Sequence, residues 1–214
     1  MRFTDRTDAG RRLADRLAGC SGRPDLVVLA LPRGGVPVAY EVAGRLGAPL
    51  DIFLVRKLGV PGHEELAMGA ISEGDVEVLS VELIRELGIP DALVRQTAVR
   101  ERLELDRRNT FFREGRRSIP VGGQQVILVD DGLATGSTME AAILGLRRLN
   151  PARIVVAAPV GSRETCERLR NIADEVVCLH TPERFEAVGL WYSDFSQTSD
   201  EEVRRLLSAA HGQR

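Results

Sequence analysis

The chain has little cysteine and few aromatic side chains: among 214 residues there are three cysteines, and Phe, Trp and Tyr together make up 4 %. Cys20, Cys166 and Cys178 are odd in number and share no CxxC spacing. That pattern argues against a disulfide framework or a cysteine zinc site and predicts buried free thiols. Long apolar runs are also missing: residues 26–31 and 154–160 are far shorter than the roughly 20 residues a membrane span requires. Neither charge sign dominates, and a formal net charge of -2 supplies no basic stripe. Nucleic acid and anionic lipid are therefore not expected partners, and any anion site must be local. The N-terminus, MRFTDRTDAGRR, carries charges where a signal peptide needs an apolar segment, which predicts a cytoplasmic protein.

Glycine is plentiful, at 21 residues. Apolar runs recur, each followed by a Gly-rich turn and an amphipathic helical pattern, and this predicts an α/β fold with a parallel sheet flanked by helices. Strands are expected at 26–31, 51–55, 69–71, 76–79, 126–129, 153–158 and 175–179. The second should end at Arg56-Lys57. Helices are expected at 8–18, on the face of Val38, Val42 and Leu46, at 90–113 and 139–149, from Ser162, and from Ser199, where Glu202 completes a capping-box spacing. Residues 63–68 read as a polar, mobile loop. His63-Glu64-Glu65 is not HExxH, so zinc hydrolysis has no support. The mixed charges Arg100, Glu101, Glu104, Asp106, Arg107 and Arg108 read as the solvated face of the long helix. His180 reads as a structural residue and His211 as part of a fraying tail. A single domain over 1–214 is expected, with a lid or insertion at 58–120 and a C-terminal hood near 181–198.

The chemistry concentrates after the strand at 126–129. Asp130 and Asp131 are followed by Gly132-Leu133-Ala134-Thr135-Gly136-Ser137-Thr138 and then by an apolar helical face at Ala142, Leu146 and Leu149. A ligand is expected at the carboxyl end of such a strand. Gly136 permits close backbone approach, the amides at a helix start can surround phosphate oxygens, and Thr135, Ser137 and Thr138 add hydroxyl donors. Hydrogen bonds to a charged group, about 1.5–3 kcal/mol each, outweigh a helix dipole of about 0.3–1 kcal/mol. The loop lacks the lysine of GxxxxGK[ST], so it is not a nucleoside-triphosphate loop. Two acids beside a phosphate cradle would repel the phosphate unless they faced hydroxyls or a cation, and a ribose diol and Mg²⁺ meet that need.

The segment VILVDDGLATGSTMEAAI resembles the 5-phosphoribosyl-1-pyrophosphate (PRPP) motif of type I phosphoribosyltransferases, with their parallel sheet and small hood. The resemblance implies that Asp130 and Asp131 hold the ribose hydroxyls and meet Mg²⁺ indirectly, through PRPP or water. It also implies that residues 134–138, Ala134 through Thr138, bind the 5-phosphate. Ala134 stands where hypoxanthine-guanine enzymes carry a purine-contacting acid, so the motif is closer to the adenine-type DDLLATGGT. Pro32-Arg33-Gly34-Gly35 resembles the family's pyrophosphate loop. Arg56-Lys57 resembles the basic pair of adenine and orotate enzymes, which would stabilise the leaving group. Glu73 falls where adenine-type enzymes have a base-facing, proton-transferring glutamate. Trp191 and Tyr192 lie in the hood region and could stack on a base. The implied activity is a glycosyltransferase reaction of nucleotide salvage, in which phosphoribosyl moves from PRPP to a nitrogenous base with release of pyrophosphate. A non-catalytic PRPP-binding regulator is the alternative, and a homodimer is left open.

Overall fold

A computed structural model describes residues 1–212, apart from the side chains of Glu64 and Glu65. The chain opens with helix α1 (Arg6–Arg16), strand β1 (Leu26–Ala30), helix α2 (Gly35–Leu46) and strand β2 (Leu50–Ile52). A small layer follows, comprising β3 (Val55–Val60), β4 (His63–Ser72), β5 (Val76–Leu79), α3 (Val81–Glu86) and α4 (Asp91–Arg113). The chain then returns to the main sheet through β6 (Gln125–Val129), α5 (Ser137–Arg148), β7 (Arg153–Val160), α6 (Arg163–Leu169), β8 (Glu175–His180) and α7 (Asp200–His211).

The main sheet has the order β2-β1-β6-β7-β8, and every pairing is parallel. Its central strands are continuous apolar runs because helices cover both faces. The two-residue period divides them between two cores. Val28, Ala30, Ile127 and Val129 pack with α1, α2 and α7, whereas Val27, Leu29, Val126 and Leu128 pack with α5 and α6. The register pairs Ala30 with Val129, so β1 and β6 end level with one another. The turns that follow them therefore emerge side by side.

The second sheet, β3-β4-β5, is antiparallel and corrects three sequence readings. Residues 63–68 are part of β4 rather than a loop, paired to β3 across the Pro61-Gly62 turn, where Gly62 has φ 81°. The Glu64 and Glu65 side chains lie outside the described residues. Arg56 and Lys57 sit within β3 rather than at the end of β2, because Phe53 and Leu54 leave the main sheet before them. Glu101 is buried, not solvated, and lies on the same face of α4 as Val94, Thr97, Leu105 and Phe112.

Helix α7 starts as expected, with Ser199 Oγ accepting from the Glu202 amide at 3.1 Å. His211 belongs to the last turn of α7 instead of a frayed tail, its Nδ1 2.7 Å from Leu207 O. The three thiols are free, with Cys166 fully buried and the other two half-buried. Among the described residues no helix is long and apolar enough to cross a membrane.

Candidate functional site

The turns after β1 and β6 touch. A Cβ at Gly34 would collide with the Asp131 carboxylate, and one at Gly35 would lie 2.7 Å from Val129 O. Glycine is required at both positions because the acid pair and its strand occupy the space a side chain would need. The Pro32–Arg33 peptide is cis. Two segments about 100 residues apart in sequence thus form one surface, as level parallel strands in this register require.

Asp130 and Asp131 lie at its centre. The Asp131 amide donates to Asp130 Oδ1 at 2.9 Å, and its carbonyl accepts from the Tyr192 hydroxyl at 2.6 Å. Asp131 Oδ2 accepts from Arg6 Nε at 2.8 Å. Burial, and then the charge of Asp131, hold the Asp130 carboxyl well above the ordinary carboxylate pKa. Burial also raises Asp131, against the opposing pull of Arg6. The pattern of apolar runs and turns gave no signal for Arg6, which stands 125 positions from its partner.

The loop after the acids is held from behind. Ala134 O accepts from Thr165 Oγ1 at 2.6 Å, Thr135 O accepts from Arg168 Nη2, and Leu133 forms a parallel bridge with Gly161. A Cβ at Gly136, where φ is 72°, would collide with Thr165. With these carbonyls turned toward α6, the first amides of α5, which have no intrahelical acceptor, are left on the other side. Thr135 Oγ1 and Ser137 Oγ stand 3.2 Å apart beside them, while Ala134 and Thr138 are exposed. Amides at a helix start beside two hydroxyls are an arrangement that can receive a tetrahedral oxyanion. Thr165 and Arg168, which shape it, were not among the residues picked out from the sequence.

The basic residues are distributed differently from the sequence reading. Arg33 Nη1 lies 3.6 Å from Asp200 Oδ1, and Arg33 lines a polar cavity of about 370 Å³ with Arg107 and Arg108. Those two arginines are solvated, as expected, and also sit opposite the Pro32–Gly35 turn, with Glu104 pairing with both. Arg56 points toward α4 and forms a 2.6 Å ion pair with Glu101 Oε2, beside a narrow cleft that Pro32, Arg108 and Thr138 also line. Lys57, its neighbour on β3, lines a groove of about 460 Å³ with Ser137 and Glu140. Alternation along a strand sends adjacent cations in opposite directions.

Glu73 is not free to face a base. Its Oε1 accepts from the Leu54 amide at 2.7 Å, and its Oε2 lies 2.8 Å from Arg113 Nη1. Arg113 also pairs with Asp51 at 3.1 Å. Burial raises the Glu73 pKa, with Arg113 pulling against it. The two hood aromatics are likewise occupied. Tyr192 is 2 % exposed, with ring centroids 5.4 Å from Phe3 and 5.0 Å from Phe195, which removes it as a stacking surface. Trp191 meets His180 edge-on at 4.7 Å, and its Nε1 is buried without a hydrogen-bond acceptor among the described residues.

Among the described residues no group of three or more His, Cys, Asp or Glu could hold a metal. Asp130 and Asp131 offer hard oxygen donors, and one of these oxygens already belongs to Arg6. The set suits a Mg²⁺ ion that takes its other ligands from water and substrate phosphates, and it does not suit a resident ion held by protein alone.

Residues 76–193 match the family model of the phosphoribosyl transferase domain. The Mycobacterium tuberculosis H37Rv protein Rv0571c, provisionally named a phosphoribosyl transferase, is 50 % identical over 209 residues. That alignment covers 98 % of this chain and 47 % of the mycobacterial protein, so the chain spans about half the length of its curated relative. The bifunctional protein PyrR of Chloroflexus aurantiacus is 34 % identical over 137 residues, covering 62 % of this chain and 69 % of PyrR. The crystal structure of TT1426 from Thermus thermophilus superposes with a TM-score of 0.87 at 47 % identity, covering 97 % of this chain and 98 % of that one.

Proposed function

Starting from a chain that belongs to the phosphoribosyl transferase domain family, we propose that it moves a 5-phosphoribosyl group from PRPP to a nitrogenous base, releasing pyrophosphate. The observation that carries this reading is the contact between the two strand-end turns: Gly34 and Gly35 lie directly against Asp131, Val129 and Asp130, with the 135–138 cradle continuing from the same strand. An acid pair flanked by two backbone anion sites matches a sugar that carries a phosphate at one end and a diphosphate at the other.

In this reading the amides at the start of α5, with Thr135, Ser137 and Thr138, grip the 5-phosphate. Asp130 and Asp131 accept hydrogen bonds from the ribose hydroxyls, and the Pro32–Gly35 turn receives the pyrophosphate. Fixing the sugar at both ends converts an encounter into a positioned reaction, and the nearby carboxylates favour positive charge developing at the anomeric carbon. Arg33 supplies positive charge to the departing diphosphate, with Arg107 and Arg108 lining the same cavity. Mg²⁺ bound with PRPP would neutralise part of that charge, with Asp130 and Asp131 as its nearest protein oxygens. The transfer needs no covalent nucleophile, so a Ser-His-Asp arrangement is not required.

A PRPP-binding regulator that does not turn over is favoured by one observation, the commitment of Arg56 to Glu101 and of Glu73 to Arg113. Incubating the protein with PRPP, Mg²⁺ and a panel of purines, pyrimidines and pyridine carboxylates, while following pyrophosphate release, separates the two. Base-dependent release is the expected result. PRPP binding without release for any base would establish the regulator instead.

A further inference from the structure

We propose that Arg6 is a positioning residue for the sugar: it holds Oδ2 of Asp131 so that Oδ1 is presented to a ribose hydroxyl. The inference rests on the reading of Asp131 as a ribose-binding acid. Arg6 is engaged in three ways. Nε donates to Asp131 Oδ2 at 2.8 Å, Nη1 donates to Ser196 O at 2.6 Å, and the guanidinium lies over the Phe195 ring at 4.1 Å. The side chains of Arg6 and Asp131 are only 12 % and 15 % exposed, so this is an ordered pair rather than a surface encounter.

Two features indicate that the pair is there for more than stability. Arg6 is the first residue of α1, where the helix dipole disfavours a cation. A largely buried ion pair is also a weak source of stability, often no better than apolar side chains of the same volume. What the pair supplies is direction. Asp131 adjoins a second acid, Asp130, and mutual repulsion would turn its carboxylate away from a site that both must serve. Arg6 opposes that rotation.

The surrounding backbone delivers Arg6 to this place. Phe3 N donates to Trp191 O, Ser193 N to Phe3 O and Asp194 N to Thr4 O, each at 2.8 Å, so residues 3–4 are laced to the hood just before α1 begins. Tyr192, within the laced segment, donates its hydroxyl to the Asp131 carbonyl. The N-terminal segment and the hood therefore converge on one acid, gripping its main chain and its side chain.

The test measures binding of PRPP, inorganic pyrophosphate, ribose 5-phosphate and the 2-deoxy and 3-deoxy forms of ribose 5-phosphate to the wild type, Arg6→Met and Arg6→Lys, with thermal melts alongside. Arg6→Met is expected to lose about tenfold or more in PRPP affinity, the value of one charge-assisted hydrogen bond. It should also lose most of the preference for ribose over the deoxy sugars while binding pyrophosphate as before. Arg6→Lys keeps the charge but not the planar fork, and should recover part of that preference. A merely structural residue would lower the melting temperature and weaken all the sugars in proportion. An undiminished ribose preference in Arg6→Met, or in Arg6→Lys if the first variant does not fold, overturns the inference while leaving the PRPP reading intact. Failure of the wild type to bind PRPP or ribose 5-phosphate removes both.

Discussion

The carboxyl edge of the parallel sheet and the antiparallel layer beside it both carry acids and arginines at strand ends or within strands, yet they use them in opposite ways. At the parallel edge, Asp130 and Asp131 lie where two glycine turns meet, and their charge is only partly answered, by Arg6. In the antiparallel layer, Arg56 is answered by Glu101 and Glu73 by Arg113, so these charges are already matched within the protein. A motif of charged residues marks a site only where the fold leaves the charge unmatched. Long helix α4 supplies most of that matching.

The sharpest way to break this contrast is Arg113→Met, which strands Asp51 and Glu73 as buried carboxylates without their cation. It should destabilise the protein by about 3–5 kcal/mol in denaturant unfolding, with PRPP affinity unchanged in the folded fraction. A fall in turnover without loss of stability would restore Glu73 to the reaction. The double change Asp130→Asn with Asp131→Asn comes next. Loss of two charge-assisted contacts should weaken PRPP, measured calorimetrically, by about a hundredfold or more. Relief of the repulsion between buried acids is opposed by the loss of the charged partner of Arg6, so the stability loss at neutral pH should be smaller than that of Arg113→Met. Unchanged PRPP affinity would place the ribose elsewhere and dissolve the contrast. The smallest effect is expected from Tyr192→Phe, which removes one hydrogen bond to the Asp131 carbonyl. A loss of about 0.5–1.5 kcal/mol in stability or PRPP affinity follows, whereas a change only in base preference would return Tyr192 to the acceptor site.

Much of the fold was legible because its signals are local. Buried parallel strands read as apolar runs, Gly47 ends α2 in the left-handed conformation, and Ser162 and Ser199 cap the helices they precede. The five-stranded parallel sheet flanked by helices is the architecture that the apolar runs and the motif implied. Residues 63–68 were misread because their partner strand is recognised by hydrogen-bond register with β3, which residue polarity does not reveal. Arg56 and Lys57 were placed on the wrong strand because the sequence carries no mark of the point where the chain leaves one sheet for another.

By itself the sequence determined which segment carries the sugar-phosphate motif: a strand, two acids, a glycine and a helix start are contiguous, and their chemistry follows from neighbours along the chain. The tertiary structure alone decided which charges remain available. Glu73 is claimed by Arg113 and Arg56 by Glu101, 45 positions away on α4, whereas Arg6, 125 positions from Asp131, takes only one of its two oxygens. Electrostatic pairing acts through space, and distance along the chain carries no record of it.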